Sequence, residues 1–174
     1  MKQFLLKYNR KTFFLDYRFI SSPNLHLFTD SCTTIGFGGY LGEQWFCGKW
    51  PESCIGLHIS LLELYPIFLA FQLWGDQFHN RCISIHSDNI SVVHILNSFT
   101  SKDPLMMIMV RKLVLFCMLN NVYLKADHIS GVDNKLADSI SHFQMERVYQ
   151  PGTFLRPQPT LIPQELLLDK LLGC

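Results

Sequence analysis

Three extended runs follow one another closely near the start of the chain, and they constrain its fold more than any other feature. The first run, 24–32, is mostly apolar and carries a lone carboxylate, Asp30, near its end. The second, 36–41, is glycine-rich, and only Gly42-Glu43 separates it from the third, 44–50. Glycine adopts a positive φ without strain, so Gly-X between two strands predicts a hairpin with a type II′ turn. We therefore expect a β-meander whose first run is a central strand.

The rest of the chain alternates helical and extended patterns, which is typical of an α/β domain. One helix-like segment, 59–75, is apolar on nearly every face, as expected of a helix that is covered on both sides. Another begins at Asp103-Pro104, where Asp suits the N-cap and Pro the first helical position. That helix continues through 105–119, and the further predicted elements are a strand over 82–88, a helix over 89–96, a strand over 122–126 and a late helix capped at Asp133 or Asn134.

The composition limits the compartment and the partners of the protein. Hydrophobic residues make up 48% of the 174 residues, so a buried core is expected. The six cysteines come without a secretory signal or a zinc-type spacing, which favours reduced thiols in the cytoplasm or nucleus. Residues 25–142 hold seven Lys and Arg against ten Asp and Glu, a net charge of −3 with His neutral. Because phosphate-binding surfaces use clustered cations, this core is expected to bind nucleic acid weakly.

The chain is predicted to divide into three parts. Residues 1–23 form an N-terminal connector that ends in a Ser-Ser-Pro boundary, and residues 24–145 form the folded domain. Residues 146–174 form a proline-rich C-terminal tail, in which 165–172 is either a short helix docking on the domain or the start of a neighbouring domain. The charge-free apolar stretch 64–74 is too short to cross about 30 Å of hydrocarbon, so no membrane partner is expected.

Three acidic residues have ordinary structural explanations when each is taken alone. Ser60 and Glu63 match a capping box, and the spacing favours this purely structural role for Glu63, although Pro66 conflicts with a helix that starts at Ser60. Asp88 lies between a strand and a helix, where an acid is more often an N-cap than a catalytic group. Asp138 falls in the second turn of the late helix, where a solvent-facing acid is common.

Together with Asp30, these acids have an order that suggests one shared site. They lie on the first strand, on the first helix, at the end of the fourth strand and on a late helix. Residues at the carboxyl ends of neighbouring strands converge on one crevice in an α/β sheet. Convergent carboxylates repel one another unless cations lie between them, and oxygen ligands without cysteine favour Mg²⁺ or Mn²⁺ over zinc. Two such ions about 3.5–4 Å apart activate water and stabilise the leaving oxygen of a phosphodiester displacement.

The segment 128–141, which reads HISGVDNKLADSIS, carries the most specific pattern in the chain. Four shorter motifs precede it in order, namely Thr29-Asp30-Ser31, Gly48-Lys49-Trp50, Leu62-Glu63-Leu64 and Ser87-Asp88-Asn89. With these motifs, residues 25–142 resemble the ribonuclease H domain of retroelement polyproteins. The resemblance is greatest to the DIRS-like, tyrosine-recombinase retrotransposons, and gypsy-like elements are more distant.

The resemblance implies an activity, a fold and a set of site residues. Asp30, Glu63, Asp88 and Asp138 would ligate two Mg²⁺ ions, with Mn²⁺ as the alternative, and His128 would assist proton transfer or product release. The implied fold is a five-stranded mixed sheet, an antiparallel meander plus parallel strands, flanked by helices. The implied activity is hydrolysis of the RNA strand of RNA/DNA hybrids by a metal-dependent endoribonuclease. The implied partners are the hybrid and a reverse transcriptase domain, for which residues 1–23 would be the trailing connector.

This sequence departs from the family pattern at several points, and other functions are open to it. The basic helical protrusion that grips the hybrid in some ribonucleases H has no counterpart, and His142 stands where these elements commonly have arginine. A catalytically silent remnant, or a host-captured binding module with the same fold, is the alternative function. Two other nucleases of the superfold are disfavoured. Proofreading exonucleases need an acid where Cys32 stands, and integrase-type enzymes end on a glutamate where this chain has Asp138.

Overall fold

The computed structural model describes residues 25–173, so the predicted connector 1–23, together with Asn24 and Cys174, lies outside the described residues. The strands are β1 (Leu25–Ser31), β2 (Gly36–Leu41), β3 (Gln44–Lys49), β4 (Cys82–Ser87) and β5 (Tyr123–His128). The helices are α1 (Ile59–Trp74), α2 (Ile90–Ser98), α3 (Pro104–Asn120), α4 (Lys135–Ser141), α5 (Met145–Val148) and α6 (Leu168–Leu172). Short 3₁₀ helices span Glu52–Cys54, Gly75–Phe78 and Gln164–Leu166.

The five strands form one mixed sheet in the order β3-β2-β1-β4-β5. Strand β1 pairs antiparallel with β2 and parallel with β4, while β2 pairs antiparallel with β3 and β4 parallel with β5. The predicted meander and the five-stranded mixed sheet are therefore confirmed, with β1 at the centre. A two-residue turn joins Leu41 to its partner Gln44, and Gly42 within it has a φ of 55°. Glycine is favoured there because other residues rarely adopt that conformation.

Helix α1 covers one face of the sheet and is buried along nearly its whole length. Its Leu64 and Phe68 belong to the main apolar cluster, which also contains Leu27 of β1 and Ile85 of β4. Helix α3 packs against α1, which explains why the α1 sequence lacks a polar face. Burial on both sides fixes the beginning of α1 close to the carboxyl end of β1.

Helix α4 lies across the other face of the sheet. Ile140 of α4 is buried with Trp45, Val148 and Leu155 in a second, smaller apolar cluster. A Cβ atom added to Gly38 of β2 would lie 2.4 Å from Ile140 Cγ2, so only glycine allows the helix to approach the sheet this closely. This approach brings the α4 side chains to the end of β1.

The beginning of α1 differs from the prediction. The helix begins at Ile59 and His58 is its N-cap, because the His58 side chain accepts the backbone N–H of Ser60. The predicted capping box of Ser60 and Glu63 is therefore wrong. Both residues lie inside the helix and are buried, and the helix continues through Pro66 without ending there.

Both predicted ends of α3 agree with the structure. Asp103 caps α3 by accepting the backbone N–H groups of Leu105 and Met106, with Pro104 as the first helical residue. The helix ends at Asn120, and its C-cap, Asn121, adopts the left-handed conformation with a φ of 51°. Asparagine tolerates this conformation better than most residues because its side chain bonds locally to the backbone.

The proline-rich segment after α5 packs along the domain. The Arg156 and Thr160 backbone N–H groups donate to the carbonyls of Glu43 and Trp45, beside the sheet edge formed by β3. Farther on, the Tyr65 hydroxyl of α1 donates to the Leu166 carbonyl, and Leu168 of α6 is 1% exposed. How the chain divides into connector, domain and tail stays a prediction. Among the described residues, we find no helix with the length and apolar character needed to cross a membrane.

Candidate metal centre

Asp30 is one of the two buried acids among those singled out from the sequence. It lies near the end of the central strand β1 and is 6% exposed. The Ser141 hydroxyl of α4 donates a hydrogen bond to Asp30 Oδ2. Burial raises the pKa of Asp30, and the nearby Asp88 and Asp138 raise it further, while the hydrogen bond from Ser141 lowers it. The strand thus presents a carboxylate that a cation would stabilise in its charged form.

Glu63 lies in the second turn of α1 and faces Asp30. Its side chain is buried, at 4% exposure, and Oε2 has no hydrogen-bond partner among residues 25–173. Burial raises the pKa of Glu63 to about 9, with further increases from the charges of Asp30 and Asp88. A buried carboxylate oxygen without a partner is costly, and a cation placed between Glu63 and the two other acids would satisfy it.

Asp88 follows β4 directly and is not the cap of the next helix. The neighbouring Asn89 is the N-cap of α2, since its Oδ1 accepts the backbone N–H groups of Ser91 and Val92. The ordinary structural explanation for Asp88 is therefore wrong, and its carboxylate is left for the site. One carboxylate oxygen from each of Asp30, Glu63 and Asp88 lies within 4.8 Å of the others.

Asp138 reaches the same site from α4. Its Oδ1 lies 3.3 Å from Nδ1 of His142, one turn farther along the helix. Ligand atoms of Asp30, Asp138 and His142 lie within 4.8 Å of one another, so Asp30 is shared between two clusters. Partial burial lowers the pKa of His142, but the Asp138 carbonyl and the charges around it raise the pKa more, and the net shift is upward.

His128 lies close to the clusters without belonging to either of them. It is the last residue of β5, so the strand continues past the predicted end at residue 126. Its Nε2 is 3.1 Å from the backbone carbonyl of Asp88, and the side chain is exposed. The histidine is thus held at the rim of the site, where it can reach solvent.

Three residues that shape the site were not identified as site residues from the sequence. His142 was noted only as a departure from arginine, although the i, i+4 spacing from Asp138 predicts that the two share a helix face. Ser141 contacts Asp30 through its hydroxyl, and no local pattern indicates that contact. Asn134 is N-cap by position, but its Nδ2 donates to the Thr29 carbonyl of β1, at 3.0 Å.

The role predicted for Asn134 therefore needs correction. Within the described part of the chain, its side chain makes no capping hydrogen bond to α4. Asp133 instead accepts the Ser130 hydroxyl at 2.7 Å within the preceding turn. Because Asn134 is 1% exposed and bonded to the residue before Asp30, it fastens the start of α4 to the end of β1.

The donor set of these clusters fits a hard divalent cation. Four carboxylates supply oxygen ligands, which Mg²⁺ and Mn²⁺ prefer in proteins. Burial, and then the neighbouring carboxylates, raise the pKa values of Asp30 and Glu63, and Glu63 Oε2 has no partner within the described chain, so a bound cation would stabilise the charged form of both groups. The arrangement can therefore hold a cation between β1, α1 and β4, and a second one between β1 and α4.

No protein-family model and no curated protein sequence matches the chain. Its fold is similar to that of ribonuclease H1 from the halophilic archaeon Halobacterium salinarum NRC-1, with a TM-score of 0.51 and 15% identity over 71% of this chain and 98% of the other. It also matches LC11-RNase H1, isolated from compost by a metagenomic approach, with a TM-score of 0.47 and 15% identity over 74% of this chain and 100% of the other. The similarity to the archaeal protein shows a ribonuclease H-like fold.

Proposed function

We propose that the protein is a metal-dependent endoribonuclease that hydrolyses the RNA strand of RNA/DNA hybrids, and that it derives from a retroelement polyprotein. The observation that carries this proposal is the buried Glu63 carboxylate, whose Oε2 has no partner among the described residues, beside Asp30 and Asp88. These three buried or half-buried acids, gathered near the end of the central strand, form no ion pair with a basic side chain among the described residues. The fold shared with a ribonuclease H1, together with the motif over 128–141, supports the assignment.

The proposed roles follow from the placement of the side chains. Asp30, Glu63 and Asp88 hold one Mg²⁺ ion, while Asp30 and Asp138 hold a second. When bound, two such ions lower the pKa of an attacking water and neutralise the charge on the leaving oxygen of the RNA strand. The exposed His128, held beside Asp88 by its backbone contact, carries a proton between the site and solvent.

The hybrid is the proposed substrate, and a reverse transcriptase domain is the proposed neighbour in the polyprotein. The net charge of −3 over residues 25–142 provides little attraction for a phosphate backbone. A polymerase domain with its own basic groove would supply that attraction. In this proposal residues 24–145 are the nuclease domain, and residues 1–23 connect it to the polymerase.

A cleavage assay tests this function. The full chain is incubated with a hybrid labelled on the RNA strand, in Mg²⁺, in Mn²⁺ or in EDTA. We expect cutting of the RNA strand that requires the metal and leaves the DNA strand intact. A folded protein that cuts neither in Mg²⁺ nor in Mn²⁺ would favour a silent module with the same fold.

A further inference from the structure

The residues that follow Asp30 and precede Glu63 are joined to each other. The Ser31 hydroxyl donates a hydrogen bond to the Leu62 carbonyl, with Oγ and O 2.9 Å apart. Ser31 ends β1 and is 7% exposed, and Leu62 lies in the first turns of α1 and is 0% exposed. The bond therefore connects the strand that carries one proposed ligand to the helix that carries another, inside the protein and away from water.

The Leu62 carbonyl is available because of Pro66. In an α-helix the carbonyl of residue i accepts the backbone N–H of residue i+4. For Leu62 that residue is Pro66, which has no N–H group. A buried carbonyl without a partner is costly, and here the hydroxyl of Ser31 supplies the missing donor. The proline thus directs a helix carbonyl out of the helix and toward the central strand.

Ser31 makes a second contact to the same helix. Its backbone N–H hydrogen-bonds the Glu63 carboxylate, which lowers the pKa of Glu63 against the larger effect of burial. Ser31 is itself held in the sheet, where it pairs with Phe37 of β2. One residue therefore contacts both the backbone before Glu63 and the Glu63 side chain, and the preceding residue is Asp30.

We propose that Ser31 and Pro66 form a latch that sets the separation of Asp30 and Glu63 for cation binding. This inference rests on the proposed function, because it assigns positioning residues to its metal site. Once both carboxylates are ionised they repel each other, and this repulsion favours movement of the start of α1 away from β1. The Ser31–Leu62 hydrogen bond opposes that movement, so the ligands are in place before the metal arrives. Contacts that orient metal ligands change metal affinity by about 10- to 100-fold when they are removed.

The test separates the positioning of the metal ligands from the stability of the fold. It does so by giving the Leu62 carbonyl a hydrogen-bond donor other than Ser31. In Ser31→Ala the Leu62 carbonyl loses its hydrogen-bond donor. This variant is therefore expected to be less stable whether or not Ser31 positions the metal ligands. In the double variant Ser31→Ala/Pro66→Ala, residue 66 supplies a helical N–H to Leu62, but the link to β1 is absent. We expect the double variant to unfold at or above the wild-type temperature and to bind Mn²⁺ about 10-fold more weakly.

Mn²⁺ affinity is measured on the full chain by calorimetry and by the loss of the free-ion paramagnetic resonance signal. Ser31→Thr, which retains a hydroxyl, is expected to keep affinity within about 3-fold of the wild type, and Ser84→Ala, at a serine 8% exposed on β4, is the matched control. A double variant that binds Mn²⁺ as tightly as a metal-binding wild type overturns the latch alone. A folded wild type that binds no Mn²⁺ overturns the proposed function and the latch with it.

Discussion

Asn89 and Asp88 are adjacent in sequence, but Asn89 caps a helix whereas Asp88 places its carboxylate beside other acids. Asn89 Oδ1 accepts the N–H groups of Ser91 and Val92, at 3.0 and 3.2 Å, and so caps α2. Asp88 is released from capping, and its carboxylate lies within 4.8 Å of the ligand atoms of Asp30 and Glu63. This division allows the two functions to be removed one at a time.

The first prediction uses that division. We expect Asp88→Asn to abolish hybrid cleavage while leaving the free energy of unfolding unchanged or higher, because one negative charge leaves a repulsive cluster. Asn89→Ala is expected to lower the free energy of unfolding by about 1 kcal/mol through loss of the cap, with cleavage largely retained. Urea unfolding and the cleavage assay measure the two effects. Asp76→Asn, at an exposed acid in the 3₁₀ helix that follows α1, is the control. Near-normal cleavage by Asp88→Asn would refute the site.

The second prediction concerns Glu63 and pH in the absence of metal. The pKa of Glu63 is about 9 in the folded protein and 4.5 is its ordinary value, so the folded state retains a proton that the unfolded chain releases between these values. The contribution of Glu63 is therefore fully present below pH 4.5 and is lost as pH rises toward 9. Glu63 alone would make the free energy of unfolding fall by up to about 1.4 kcal/mol per pH unit.

Urea unfolding in EDTA at pH 5.5, 7 and 8.5 checks this dependence. We expect Glu63→Gln to unfold at higher urea than the wild type at pH 8.5, with a smaller difference at pH 5.5. Glu52→Gln, at an exposed position in a 3₁₀ helix, should follow the wild type throughout. Equal pH slopes for the wild type and Glu63→Gln would show that Glu63 is already ionised in the folded protein.

Local sequence patterns predicted the first hairpin and the start of α3, because each of these patterns has one dominant physical cause. The Gly42-Glu43 pair allows a tight hairpin through the positive φ of Gly42. Asp103-Pro104 favours a helix start because the side chain caps it and the proline fixes the first φ. In both cases a single local preference decides the conformation, and the structure agrees with the prediction.

The same local rules failed at the site, where distant contacts outweigh local ones. Ser60 and Glu63 have the spacing of a capping box, yet burial against β1 places both inside α1 and His58 caps instead. Asn134 has the position of a cap, but its bond to the Thr29 carbonyl crosses 105 residues of sequence. The order of the four acids and the family resemblance were needed to bring these acids to one place, since no local pattern does so.

The third prediction concerns the tie between α4 and β1. Asn134→Ala removes the donor to the Thr29 carbonyl in a buried position, and we expect the free energy of unfolding to fall by about 1–3 kcal/mol. Cleavage should fall as well, because Asp138 is then no longer held at a fixed distance from Asp30. Asn97→Ala is a useful comparison, since Asn97 also joins a helix to a strand, through Ala126, but away from the acids. Equal loss of cleavage in both variants, at equal stability, would contradict the positioning role.

The fourth prediction concerns hybrid binding. Because the core carries more acid than base, we expect the isolated chain to bind the hybrid weakly, and we expect the binding to weaken further as salt rises. Fluorescence anisotropy with a labelled hybrid, between about 50 and 200 mM salt, measures this dependence. The assay uses the Asp88→Asn variant so that the RNA strand survives. Tight binding that is insensitive to salt would show that contacts other than phosphate neutralisation dominate.

The last prediction concerns His86, which lies on the sheet face away from α1. Its ring stacks on Phe28 with 4.4 Å between centroids, and its Nε2 is 2.9 Å from Nδ1 of His26. Burial lowers the pKa of His86, and the charges of His26 and Lys125 lower it further against the opposite effect of Asp127. Within the described chain, His86 Nδ1 is buried without a hydrogen-bond partner, so a proton added to Nδ1 has no acceptor to stabilise it in the folded state.

A histidine with a lowered pKa makes the protein less stable in acid. The unfolded chain takes up a proton near the ordinary pKa of 6.5, which the folded protein accepts only at lower pH, so the free energy of unfolding falls as pH drops below 6.5. We expect His86→Phe to reduce this loss in urea unfolding measured between pH 7.5 and pH 5. His94→Phe, at an exposed histidine of α2, should leave the loss unchanged. If His86→Phe lost as much stability in acid as the wild type, the lowered pKa of His86 would not be the source of the acid sensitivity.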